Sequence, residues 1–139
     1  MLLKITPNRL ISDIQKEFNE AFPFLKLEFF NNKSFSRSHF SATQLFPASR
    51  KVGDIHTAIK DADIEIKEEM RVNELENFFK EQFGLAVQVF RKSGTVWLET
   101  TMTDNWTLQQ QNTHGKELST GKTVNNKADD YDLSRDADH

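Results

Sequence analysis

Leu3-Lys-Ile-Thr-Pro-Asn-Arg-Leu-Ile-Ser-Asp-Ile-Gln-Lys-Glu-Phe-Asn-Glu-Ala-Phe22 is written a second time in this chain. Its echo is Ile64-Glu-Ile-Lys-Glu-Glu-Met-Arg-Val-Asn-Glu-Leu-Glu-Asn-Phe-Phe-Lys-Glu-Gln-Phe83. At a shift of 61 positions Leu3, Ile5, Ile11, Ile14, Phe18, Glu20 and Phe22 fall on Ile64, Ile66, Val72, Leu75, Phe79, Glu81 and Phe83. Past the phenylalanine the shift drops to 60, and Leu25-Lys-Leu-Glu-Phe-Phe30 lies over Leu85-Ala-Val-Gln-Val-Phe90. Each copy reads as a strand, a helix and a second strand, with Pro23 or Gly84 as the breaker before the last element. Two such units predict an α+β protein: a ferredoxin-like two-layer sandwich built from a duplicated βαβ unit. A repeat of supersecondary structure carries architecture, whereas chemistry resides in particular side chains set upon it.

The local signals are specific. Leu2–Thr6 reads as a strand running into a helix with Thr6 as N-cap, Pro7 in the first helical position and an Ile5–Leu10 staple. The stripe Leu10, Ile11, Ile14, Phe18, Ala21, Phe22 carries that helix to Pro23. A second helix spans Val72–Phe83, capped near Arg71 or Asn73 and stopped by Gly84. Strands are expected at Asp63–Lys67, Ala86–Phe90 and Thr95–Glu99, the last two joined at Arg91-Lys-Ser-Gly94 as a hairpin that adds a strand to the repeat pair. A short helix from Asp104 carries Trp106 and Leu108. Residues 1–111 are read as one domain, with 31–60 as a long basic connection between its halves. Residues 112–139, with few large apolar side chains among Gly, Ser, Thr, Asn, Lys and Asp, are read as a disordered tail.

Composition narrows the function classes. The chain has 139 residues, a formal net charge of −3, no cysteine and 12 phenylalanines, enough for one aromatic-rich core. Near-neutral charge argues against a general nucleic-acid coat or a membrane-surface protein. The absence of cysteine removes disulfides, thiolate nucleophiles and thiolate-held metals. No apolar run suits a secretion signal or a membrane span, so a cytoplasmic protein is expected.

Several apparent motifs fail on physical grounds. Gly115-Lys-Glu-Leu-Ser-Thr-Gly-Lys-Thr123 ends like a phosphate-binding loop, but five residues separate its glycines where that loop needs four. Phe83–Phe90 has the outline of an RNA-reading strand, yet Phe83, Leu85 and Val87 occupy the places where a leading cation and exposed rings are needed. His39, His56, His114 and His139 have no helical partner spacing, and Asp61, Asp63 and Glu65 alternate with apolar residues as on a solvent-facing strand. The Asp129–Asp138 run lacks the glycine and final glutamate of a calcium loop. No catalytic residue, metal ligand or cofactor is therefore assigned, and a non-enzyme is expected.

Two binding readings remain. Trp97 and Trp106 stand close together in a threonine-rich stretch, and large rigid rings suit recognition surfaces. If Val96 and Leu98 face the core, Trp97 faces outward and needs cover, with Arg91 and Lys92 rimming it at the hairpin tip. This gives the leading expectation: a protein-interaction or self-association module, acting on a protein partner or as a homodimer through a sheet edge or the tryptophan face. The alternative is a nucleic-acid-binding protein using Lys33, Arg37, Arg50 and Lys51 with Phe35 and Phe40.

Overall fold

A computed structural model describes residues 1–31 and 45–121. Among these described residues five strands and four α-helices follow in chain order: β1 (Leu2–Ile5), α1 (Ile11–Ala21), β2 (Leu25–Phe30), α2 (Val52–Ile55), β3 (Ala62–Glu65), α3 (Val72–Phe78), β4 (Ala86–Ser93), β5 (Val96–Glu99) and α4 (Leu108–Thr120). A π-helical turn, Phe79–Phe83, continues α3, and a 3-10 turn, Thr101–Thr103, precedes α4. The protein is α+β.

The strands do not share one sheet. Among the described residues β1 pairs with β3 alone, while β2, β4 and β5 form a second sheet in that order, all antiparallel. The two strands of each βαβ unit thus lie in different sheets, because each strand pairs with its own counterpart in the other repeat. Leu3 pairs with Ile64, its repeat equivalent, with Leu2↔Glu65 and Lys4↔Asp63 on either side. Glu28 pairs with Gln88, its equivalent after the one-residue slip, again with the flanking pairs mirrored. A ladder centred on a pair of equivalent residues is what a local two-fold axis produces. The repeat therefore records a two-fold relation between the halves.

That relation extends beyond the matching sequence. Four turns, Thr6–Arg9, Pro47–Arg50, Lys67–Met70 and Thr103–Trp106, each close with a hydrogen bond from the last amide to the first carbonyl, at 3.0–3.2 Å. Each is followed by one extended residue (Leu10, Lys51, Arg71, Thr107) and then a helix. The turns interlock in pairs. Ile11 N–H donates to Arg50 O and Val52 N–H to Arg9 O, while Val72 N–H donates to Trp106 O and Leu108 N–H to Met70 O. The next amides repeat the exchange: Ser12 to Ala48, Gly53 to Pro7, Asn73 to Asp104 and Gln109 to Glu68. The first amides of a helix have no partner within it, and here the facing turn supplies one. The Asp54, Glu74 and Gln110 side chains then accept from the backbone N–H of Lys51, Arg71 and Thr107.

This explains two shifts from the sequence reading. Pro7, expected in the first helical position, occupies the turn before α1, where its fixed φ serves equally well and its carbonyl receives Gly53 N–H. Asp104, expected as a cap, stands in the equivalent turn before α4, and Thr107 is the cap instead: its hydroxyl accepts from Gln110 N–H at 3.1 Å.

The core lies between the three-stranded sheet and its helices. Ile11, Ile14 and Phe18 of α1, Val72 and Leu75 of α3, and Phe79 are fully buried with Leu25, Leu27, Phe29 and Val89 of the sheet. Phe29 meets Phe79 edge-on at 6.0 Å between ring centroids. Each such side chain contributes about 1.5–3 kcal/mol by leaving water. Gly84 closes the π turn at φ +66°, a left-handed conformation that a side chain would strain.

Order continues past Asn112, where the sequence reading placed the start of a tail. α4 runs to Thr120 and packs on β4 and β2, with Leu108, Gln111 and Gly115 buried. Its inner face carries one large apolar residue, so periodicity gave no signal. It docks by close approach instead: a Cβ on Gly115 would stand 2.9 Å from Phe24 Cβ and 3.0 Å from Arg91 Cγ. The Asn112 side chain accepts from Phe24 N–H at 2.8 Å, pinning the helix to the start of β2. Residues 122–139 of the expected tail lie outside the described residues.

Candidate functional site

β4 continues to Ser93 and turns through Gly94-Thr95 into β5, so Arg91 and Lys92 are strand residues and do not form the hairpin tip. Successive strand side chains point to opposite faces, which separates the two cations. Lys92 lies with Phe90, Trp97 and Glu99 on the face away from the helices. Arg91, paired with Leu25 on one side and Leu98 on the other, is buried on the helix-bearing face with only 7% of its surface exposed.

Trp97 points outward as expected and is half-buried. Its cover comes from lysines: Lys26 Nζ is 5.2 Å and Lys92 Nζ 5.9 Å from the indole centroid, and Lys26 also reaches the Phe90 ring at 5.8 Å. Glu28 Oε2 is 3.1 Å from Lys26 Nζ. Trp106 belongs to a different surface. It closes the turn before α4, touches the His114 ring edge-on at 5.6 Å, and lines an open groove of about 330 Å³ with Gln109, Gln110, Thr113, His114 and Glu117. No ring contact joins the two tryptophans among the described residues.

Among the described residues β5 has a strand neighbour on one side only, β4, and its apolar side chains are open to water. Val96 is 52% and Leu98 39% exposed, and Met102, just beyond the strand, is 94% exposed. Val96 and Leu98 share the helix-bearing face with Arg91 but do not join the core, because the helices do not reach far enough to bury them.

A polar group that sequence reasoning missed lies beneath this edge. Arg91 Nη1 donates to Gln111 Oε1 at 2.9 Å, and Gln111 Nε2 donates to the Thr103 carbonyl and hydroxyl at 2.9 and 2.7 Å. Arg91 Nε is buried without a partner, and Nη2 makes no hydrogen bond within the described residues. Burial without a facing carboxylate draws the Arg91 guanidinium below its ordinary pKa. Two residues earlier on β4, Thr100 Oγ1 donates to Val89 O at 2.9 Å, and Glu76 Oε2 accepts from Val89 N–H at 3.1 Å, so side chains complete the edge of β4 where β5 ends. The available sequence signal was the alternation of β4: with Val87 and Val89 facing in, Arg91 must follow.

Of the alternative nucleic-acid set, Lys33, Phe35, Arg37 and Phe40 lie outside the described residues. Arg50 is engaged within its own segment, with Nε 3.1 Å from Asp54 Oδ2 and the guanidinium 5.3 Å from the Phe46 ring. Lys51 is the exposed residue preceding α2. Elsewhere an open cleft of about 580 Å³ runs between His56–Asp63 and the π turn, lined by His56, Asp61, Asp63, Lys80 and Glu81 among others. No trio of His, Asp or Glu is grouped to hold a metal ion among the described residues, and no described helix is long and apolar enough to cross a membrane.

Compared with protein-family models, curated proteins and solved structures, the chain finds no match in any of the three.

Proposed function

We propose that this protein is a non-catalytic protein-interaction module that receives an extended segment of another protein along β5. The observation that carries this reading is the outer edge of β5, which no strand among the described residues covers and which exposed Val96, Leu98 and Met102 border. A free strand edge offers unpaired N–H and C=O groups to an added strand, and alternate side chains supply selectivity. Trp97, stiffened between Lys26 and Lys92, provides a rigid surface on the opposite face at little entropic cost. A second copy is the other occupant that an open edge admits, through antiparallel β5–β5 pairing.

The test is selection of octapeptides from a random display library against the immobilised full-length chain, repeated on a Val96→Lys/Leu98→Lys variant. Charges on an edge strand disfavour added strands without disturbing the buried core. Peptides that bind the wild type and fail on the variant support the reading. Peptides that bind both equally, or an absence of binders, overturn it. Light scattering on the full chain separates the occupants: a dimer that the double substitution dissolves makes the partner a second copy.

A further inference from the structure

Arg91 is a nine-tenths buried cation with no carboxylate against it. An unpaired buried charge is costly, and proteins normally neutralise one or replace it with an apolar side chain. Its hydrogen bonding is one-sided. Nη1 is engaged by Gln111, while the edge formed by Nε and Nη2 has no protein partner among the described residues. Nε is closed off from solvent, so the N–H left for an incoming carboxylate is that of Nη2, in a charge-assisted hydrogen bond.

Its place in the fold completes the argument. Leu98, 39% exposed, is the cross-strand neighbour of Arg91 on the same face. Gln111, which holds the guanidinium, also holds Thr103, the residue after the exposed Met102. The unfilled cation therefore borders the apolar part of the β5 surface, under the margin of α4.

Resting on the reading of β5 as a docking edge, we infer that Arg91 is the carboxylate receptor of that surface, and that the bound segment carries an acidic side chain flanked by apolar residues. A second copy of the chain does not fit this chemistry. Antiparallel pairing of two β5 strands brings the partner's Val96 and Leu98 to the Arg91 face and turns its Glu99 to the other, because directly opposed residues share a face.

The experiment uses two synthetic octapeptide libraries, identical except for glutamate or glutamine at one fixed central position. Both are applied to the full-length wild type, to Arg91→Met and to Val96→Lys/Leu98→Lys. Methionine keeps most of the buried volume while removing the charge, and Arg91→Gln serves as a second neutral variant should methionine fail to fold. The expected result is about tenfold or more tighter binding from the glutamate library on wild type, lost on Arg91→Met or Arg91→Gln while glutamine-library binding persists. Equal binding of both libraries on wild type, still abolished by the β5 substitutions, overturns the carboxylate assignment and leaves the docking edge standing. An equal glutamate preference in the neutral variants does the same. Binding that ignores the β5 substitutions, or no binding at all, overturns both.

Discussion

Phe18 and Phe79 hold matching places in α1 and the turn that continues α3, and both are fully buried; Arg91 holds the place that Asn31 takes in the first half. The contrast runs through the whole molecule. Where the halves agree, the residues are apolar, the ladders are centred on equivalent pairs, and the helix-leading turns exchange the same hydrogen bonds. Where they differ, the first half has the four-residue α2 with Val52 buried and Ile59 buried in the segment after it, while the second has the 13-residue α4 with Leu108, Gln111 and Gly115 inward. Symmetric positions hold the fold together. The departures from symmetry gather at β5, α4 and Arg91, where apolar surface is exposed and, among the described residues, no carboxylate meets a buried charge.

The largest effect expected from breaking the comparison is in the shared core. Phe18→Ala and Phe79→Ala should each cost about 3–5 kcal/mol in urea unfolding, with one cooperative transition for both, since removing a buried ring leaves a cavity. Loss of one half with the other still folded would show that the halves are independent. Next is Gly115→Ala, which forces a methyl against Phe24 and Arg91 and should cost about 1–3 kcal/mol, loosening α4 without touching the ladders. Thr107→Ala removes the hydroxyl cap of α4 and should cost about 1 kcal/mol, read in the same assay.

A smaller effect belongs to pH. Arg9, bonded to Glu17 through both nitrogens of its fork, holds that carboxyl below its ordinary range. A lowered folded-state pKa means that the unfolded chain takes up the proton first as pH falls. The contribution is therefore complete above the ordinary glutamate range and is lost as pH drops through the folded value. Glu17 is 41% exposed, so water screens the pair and its worth is about 0.2–1 kcal/mol. Glu17→Gln should flatten the acid limb of the stability curve by that amount and leave stability between pH 7 and 8 equally pH-insensitive, measured by urea unfolding across pH.

How much of this was legible depended on whether a residue obeyed a period. Leu3, Ile11, Phe18 and their partners announced two βαβ units because burial on a helix stripe or strand face imposes a spacing. The division into two sheets was not legible: alternation says which face a residue takes and is silent on which strand lies beside it. The interlocked turns were hidden because they bond through backbone, so Arg50 and Trp106, or Pro7 and Asp104, perform similar service with unlike side chains. α4 escaped because close approach at Gly115 and a hydrogen-bonded Gln111 replace the apolar stripe. At the candidate site Trp97 was visible by type and Lys92 by position. Arg91 was assigned to the rim because the turn was read two residues too early, which turned a buried cation into an exposed one.

Hydrogen exchange of backbone amides in the full chain tests the contrast most directly. The amides of Ile11, Ser12, Val52 and Gly53, and those of Val72, Asn73, Leu108 and Gln109, should be protected to similar extents in both halves. The outward-facing amides of Val96–Glu99 should exchange at least about a hundredfold faster than the β2–β4 ladder, a gap of about 2.7 kcal/mol or more in opening free energy. Protection along all of β5 equal to that of the β2–β4 ladder in the isolated protein would mean that the edge is already covered, and would contradict the account.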